Sequence, residues 1–249
     1  MKVGTDGTLL GAWANVPSEI CIPRILDIGT GTGLIALMMA QRYENAVVKA
    51  IDIDAGAAQQ ARENVAQAPF ADRITVEEMA IQDMRGETFD AIVCNPPYFI
   101  DSLTCPDDKR TMARHASTLT YQELTSAAYR LLTDSGVLSV VIPTECLDSM
   151  NTAATIAGFF LKRLCMVKTT ERKPAKRVLV AYSKQHPEKN AVADTIIIGS
   201  EQYDSMMNDF YLTTSAERGI GRRDVAAVAD GVSVSTCNEQ AGTLSKEIQ

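Results

Sequence analysis

The chain has 249 residues, 46% hydrophobic and 22% charged, enough for one α/β domain with a full core and a short appendage. Its longest apolar runs fall short of the roughly 18 residues a membrane helix needs, and Met1-Lys2-Val3-Gly4-Thr5-Asp6 lacks the apolar stretch of a signal peptide. A cytoplasmic protein is therefore expected. Six cysteines are scattered without a CxxC pair, which predicts reduced thiols and neither a disulfide framework nor a metal site. Net charge is −7, yet residues 109–177 hold 11 Lys/Arg against 5 Asp/Glu. Such asymmetry marks either a binding face on an acidic body or ordinary solvated surface.

Along the chain, strand-length apolar runs alternate with helix-length segments. Arg24–Ile28 is read as a strand, followed by a glycine-rich turn and a helix over Leu34–Arg42. A strand at Ala46–Ile51 precedes a helix at Ala55–Gln67, and Ile74–Val76 and Phe89–Cys94 are further short strands. Tyr121–Leu132 reads as helix; Gly136–Ile142, Phe159–Val167 and Arg177–Tyr182 read as strands. This alternation implies βαβ units around a mostly parallel sheet. Phe99–Thr118 is a polar, charged connection long enough to carry function. Thr213–Gln249, rich in Ser, Thr, Ala and Gly, is expected to be a disordered tail.

The first chemical signal is Leu26-Asp27-Ile28-Gly29-Thr30-Gly31-Thr32-Gly33, where the first strand meets the first of these helices. Glycines there let the backbone turn sharply and approach a ligand without Cβ atoms intervening. A dinucleotide site would use GxGxxG to cradle a pyrophosphate. Here the spacing is GxGxG after an acid, which suits a ligand without phosphate but with an ammonium group to pair, such as the methionine end of S-adenosylmethionine. The second strand ends at Ile51-Asp52-Ile53-Asp54, and a carboxylate at that tip can accept both hydroxyls of a ribose. Asp52 is the first choice; Asp54 is the alternative, since it is also placed to cap the following helix.

The second signal is Asn95-Pro96-Pro97-Tyr98, directly after Phe89–Cys94. Paired prolines cannot continue a sheet and fix the backbone at the strand's carboxyl end, where α/β sites lie. An amide side chain and a rigid carbonyl together can accept both hydrogens of an exocyclic NH₂, and Tyr98 offers a face on which a base can stack.

Asp27–Gly33 and Asn95–Tyr98 together resemble the class I amino-methyltransferases, which act on adenine N6, guanine N2 or a glutamine amide. With the opening Met1–Trp13, Arg110-Thr111-Met112-Ala113-Arg114, Arg177–Tyr182 and Asp209-Phe210-Tyr211-Leu212, the chain is similar to the bacterial tRNA1(Val) (adenine-37-N6)-methyltransferase family. The resemblance covers residues 1–212, which it implies to be the catalytic domain, with 213–249 outside it. It implies a Rossmann-like fold with a mostly parallel seven-stranded sheet, helices on both faces, S-adenosylmethionine as cofactor and no metal. Family members carry a short segment ahead of the stretch that opens this sequence, so residue 1 is expected to be internal.

Carried onto this sequence, the resemblance implies that Asp27, Gly29, Gly31, Gly33, Asp52 and Asn95 bind the cofactor. The acid frequent after strand three is replaced by Met79-Ala80-Ile81-Gln82-Asp83, leaving the cofactor adenine to the backbone of Ala80 and Ile81. Asn95, Pro96, Pro97 and Tyr98 would carry catalysis. Arg110, Arg114, His115 and Arg177 would contact the anticodon loop of tRNA, and Lys162, Arg163, Arg172, Lys173 and Lys176 are further phosphate candidates. Three other readings compete: a ribosomal-RNA guanine-N2 enzyme, a glutamine-N5 protein methyltransferase, and a non-catalytic RNA-binding relic. The protein-directed enzyme would need a docking domain for which the stretch before Asp27 is too short. A relic has no reason to keep both motifs.

Overall fold

The computed structural model describes residues 4–96, 119–187 and 191–210, and the described residues belong to one compact unit. The expectations for 99–118 and 213–249 lie outside them. In chain order the elements are α1 (Thr5–Trp13), β1 (Arg24–Ile28), α2 (Leu34–Arg42), β2 (Val47–Asp52), α3 (Ala55–Ala66), β3 (Ile74–Glu78) and β4 (Phe89–Cys94). They continue as α4 (Tyr121–Leu131), β5 (Leu132–Pro143), α5 (Leu147–Ala157), β6 (Phe160–Lys168), β7 (Arg177–Ser183), β8 (Val192–Ile197) and α6 (Glu201–Met207).

The strands form one sheet in the order β3-β2-β1-β4-β5-β7-β6-β8. β7 alone among the described strands runs antiparallel to its neighbours. The sheet has eight strands among the described residues, not the seven expected. The extra one, β8, lies at the edge beside β6, and its first four residues are exposed. Val-Ala-Asp-Thr carries no apolar alternation, so an edge strand of this kind leaves little periodic trace.

Strand side chains alternate between two cores. Ile25, Val48 and Ala91 face a cluster with α1, α2, Val65 of α3 and Tyr203 and Met207 of α6. Leu26, Ile51 and Ile92 face a second cluster with α4 and α5. Helices thus cover both faces, the arrangement that a parallel sheet requires.

α4 starts with a reciprocal cap. Thr120 Oγ1 accepts the Glu123 N–H at 3.2 Å, and Glu123 accepts the Thr120 N–H at 2.9 Å, an arrangement worth about 1 kcal/mol. These bonds hold the Glu123 carboxyl below its usual range.

α1 was not read as a helix from the sequence. Leu9, Leu10, Gly11, Ala12 and Trp13 are all buried, so the second half of the segment shows no polar face. It lies close along α2: a Cβ on Gly11 would come within 2.7 Å of Met38 Sδ. Two distant arginines close its carboxyl end. Arg42 donates to the carbonyls of Gly11 and Ala14 at 2.8 and 2.7 Å. Arg163 donates to the Trp13 carbonyl at 3.2 Å, with its guanidinium 4.1 Å from the indole centroid.

Candidate active site

The site lies at the carboxyl ends of β1, β2 and β4, where a parallel sheet of this order opens a crevice. Ile28, the last residue of β1, pairs with Ile51 on one side and Cys94 on the other. The glycine turn, the Asp52 tip and Asn95 therefore leave the sheet side by side.

The turn follows β1 with Gly29, Gly31 and Gly33 at φ of 67°, 59° and 81°, a region costly for other residues. The backbone N–H groups of Gly29 and Thr30 both donate to the Ile51 carbonyl, at 2.9 and 3.0 Å. Asp27 lies beneath the turn, completely buried. Its Oδ2 accepts from Thr30 Oγ1 at 2.6 Å and from the Ala36 N–H at 3.1 Å, which fastens the first turn of α2. Burial raises its carboxyl to about 7, overcoming those two bonds, and the charge of Asp52 adds to the rise. Asn64, from α3, donates to the Thr32 carbonyl at 2.8 Å.

Asp52 ends β2 half-buried. Its Oδ2 accepts the Gly31 N–H at 2.9 Å and its Oδ1 the Asp54 N–H at 3.0 Å. Asp54 uses its own Oδ1 to accept the Ala57 N–H at 2.7 Å as the cap of α3. The two acids thus divide: Asp54 starts a helix, and Asp52 sits against the turn with lone pairs remaining on both oxygens.

Between them, Ile53 is 54% exposed, an apolar side chain flanked by two acids at the strand tip. Its position between two acids at a strand tip was the available sequence signal. Thr30, Ala36 and Asn64 were also missed, because they act on the turn only through the folded chain.

Along β3, the Met79 N–H donates to the Asp52 carbonyl at 2.9 Å, bringing Ala80 beside the β2 tip. A 3₁₀ turn over Ile81–Asp83 follows. The Ile81 side chain is in the core, so what it can offer a ligand is backbone. Asn95 is half-buried and Pro96 buried just past β4. Next to them, the Cys94 thiol is pushed up by burial and by the charges of Asp27 and Asp52, which makes it an inert core residue.

Arg177, at the start of β7, pairs with Asp6 of α1 at 2.8 Å and also donates to the Lys176 carbonyl at 3.0 Å. The remaining expected residues, Pro97, Tyr98, Arg110, Arg114 and His115, lie outside the described residues. Among the described residues no group of three or more His, Cys, Asp or Glu could hold a metal ion. No helix among them is long and apolar enough to cross a membrane.

Comparison with known proteins fits this geometry. A family model described as the methyltransferase small domain matches residues 14–163. The chain is 49% identical over 218 residues to the tRNA1(Val) (adenine(37)-N6)-methyltransferase of Phocaeicola vulgatus, covering 85% of this chain and 91% of that one. The chain belongs to the tRNA1(Val) (adenine(37)-N6)-methyltransferase family. Its fold is that of class I S-adenosylmethionine-dependent methyltransferases. A structure titled as a predicted O-methyltransferase from Agrobacterium tumefaciens superposes with a TM-score of 0.60 at 21% identity, over 82% of this chain and 96% of that one. The glycopeptide N-methyltransferase MtfA complexed with S-adenosyl-L-methionine gives 0.52 at 13% identity, over 74% and 90%. Like its family, the chain is an S-adenosylmethionine-dependent methyltransferase.

The residues present fit that cofactor. At Gly29, the space where a Cβ would stand is open to 4 Å, so a ligand can lie directly on the backbone. Asp27 Oδ1 is buried without a hydrogen-bond partner among the described residues, leaving an acceptor beneath the turn whose ionised form a nearby ammonium group would favour. Asp52 offers a carboxylate at the distance of one strand.

Proposed function

We propose that this enzyme transfers a methyl group to the exocyclic N6 of an adenine in tRNA, the adenine adjoining the anticodon of tRNA(Val). The observation that carries this reading is the adjacency of the Asp27–Gly33 turn and Asn95 on neighbouring strands, joined by the Ile28–Cys94 pair. The name and activity of relatives such as the Phocaeicola vulgatus enzyme support the choice of substrate.

In this reading Gly29, Gly31 and Gly33 carry the methionine portion, Asp52 the ribose hydroxyls, and the backbone at Ala80 and Ile81 the adenine of the cofactor. When bound, S-adenosylmethionine supplies an electrophilic sulfonium methyl. The Asn95 amide oxygen and the carbonyl of Pro96 accept the two N–H bonds of the target amine. Those bonds would turn the nitrogen lone pair out of conjugation with the ring and towards the cofactor side of the crevice, so the contribution of these residues is mainly positioning and polarisation. The N–C bond would form as the S–C bond to the departing thioether breaks, and the amine would lose its proton only afterwards, so no general base would be needed beforehand. Pro97 and Tyr98 complete the clamp, with Tyr98 stacking on the base. An adenine in an anticodon loop is already partly unstacked, which lowers the cost of extruding it. Arg110, Arg114, His115 and Arg177 are assigned to the RNA, residues 1–212 to the catalytic domain, and the place of action to the cytoplasm.

Incubation with radiolabelled S-adenosylmethionine and, separately, total tRNA, ribosomal RNA and protein tests the reading. N6-methyladenosine in digested tRNA is expected. Label in ribosomal-RNA guanine N2 or in a protein amide would overturn it.

A further inference from the structure

Residues 168–177 connect β6 to β7 and contain five basic residues, Lys168, Arg172, Lys173, Lys176 and Arg177, against the single acid Glu171. The segment is exposed from Thr169 to Pro174 and again at Lys176. It is nevertheless fixed. The Lys173 N–H donates to Thr170 and the Lys176 N–H to Val167, both at 3.3 Å, and Lys168 Nζ donates to the Glu171 carbonyl at 3.1 Å. Thr144, just past β5, donates through its N–H to the Lys176 carbonyl and through Oγ1 to that of Ala175. No described carboxylate lies within ion-pair distance of Arg172, Lys173 or Lys176.

Register places this turn. β5 pairs with β4 at Val140–Cys94 and with β7 at Pro143–Arg177. The turn therefore rises from the same end of the sheet as Asn95, two strands away. From strand spacing and rise, the Arg177 backbone is on the order of 10–15 Å from Asn95. At the other end of β6 the basic residues differ. Arg163 is half-buried against Trp13, and burial lowers its guanidinium from its ordinary value. Lys162 sits near Ser183, at the amino end of the sheet.

We propose that the β6–β7 turn is a docking surface for the RNA backbone, with Arg172, Lys173 and Lys176 on phosphates a few nucleotides from the base held at Asn95. The proposal rests on the tRNA reading above. A fixed turn bearing three cations with no ion-pair partner among the described residues, beside the catalytic edge, matches a regular polyanion. It fixes the register of the strand and supplies affinity without choosing the base.

The test compares wild type with the triple variant Arg172→Ala/Lys173→Ala/Lys176→Ala, measuring tRNA binding at several salt concentrations. The log–log salt slope should flatten by about 2–3, from three lost phosphate contacts. KM for tRNA should rise while kcat and cofactor affinity hold. The charge-keeping variant Arg172→Lys/Lys173→Arg/Lys176→Arg should restore the slope, and Lys162→Ala should leave it unchanged. An unchanged slope and KM in the triple variant of an enzyme that methylates tRNA overturns the turn's role alone. A wild type that binds no tRNA at any salt overturns both the role and the reading beneath it.

Discussion

The two halves of the sheet's carboxyl edge use charge in opposite ways. At β1 and β2, acids point inward: Asp27 and Asp52 spend lone pairs on Thr30, Ala36, Gly31 and Asp54. At β6 and β7, exposed cations stand on a turn held by its own backbone, by Lys168 and by Thr144. The first arrangement suits a small ligand whose reacting atom must be placed closely, where one lost bond is expensive. The second suits a long polyanion, for which each contact adds little and the sum matters. Substitutions in the first half should therefore act singly and sharply, and those in the second weakly and additively.

The largest expected effect is on stability. The Asp27 carboxyl is raised from 3.8 to about 7 in the folded protein. A raised acid contributes stability that is full below the unfolded value and lost as pH rises through the folded one. Between about pH 4 and pH 7 wild type should lose up to roughly 1.4 kcal/mol per pH unit from this group, on the order of 4 kcal/mol in all. Denaturation of wild type and Asp27→Asn at several pH values reads this: their difference should shift across that window. A pH-independent difference would show that Asp27 is ionised throughout.

Next is Asn95→Ala, which should cut kcat by about 10²–10³, the scale for removing one preorganised polar group from a reacting centre. Cofactor affinity by calorimetry should hold, separating the two motifs. A variant keeping most of its rate would remove the amide from the mechanism. Asp52→Ala should then weaken S-adenosylmethionine binding by about 1.5–3 kcal/mol, tenfold to a hundredfold. Unchanged calorimetric affinity would take Asp52 out of the cofactor site. Smallest is the Asp6–Arg177 pair, both partners partly exposed. A double-mutant cycle on thermal stability should give a coupling of about 0.2–1 kcal/mol, whereas a larger value would make α1 a structural part of the catalytic edge.

Much of the cofactor half was legible because its signals are local. Glycine and proline punctuate the chain where β1 and β4 end, so Arg24–Ile28, Leu34–Arg42 and Phe89–Cys94 agree with the expected bounds. Other elements lacked such marks. α1 is buried all round from Leu9 to Trp13, and α5 has Cys146 at its amino cap with no side-chain hydrogen bond there. β5 starts at Leu132 rather than Gly136, through a polar Thr-Asp-Ser stretch with a register shift against β4. In the site, Asp52 was preferred to Asp54 because Asp54 is placed to cap a helix, and the Ala57 N–H does take Asp54. The basic residues of β6 and of the turn after it looked alike for a similar reason. Arg163 and Arg172 lie at opposite ends of the β6–β7 pair, a long-range fact of register.

The closure of α1 also bears on how the protein is made. Leu9, Leu10 and Trp13 are made well before β6, and the arginine that covers Trp13 follows 150 residues later. At synthesis rates of about 5–20 residues per second, that is a wait of roughly 8–30 s. α2 can receive the Gly11 face of the helix within the first few seconds. The indole face stays open until β6 arrives, so α1 waits for a strand made 150 residues later to finish its docking.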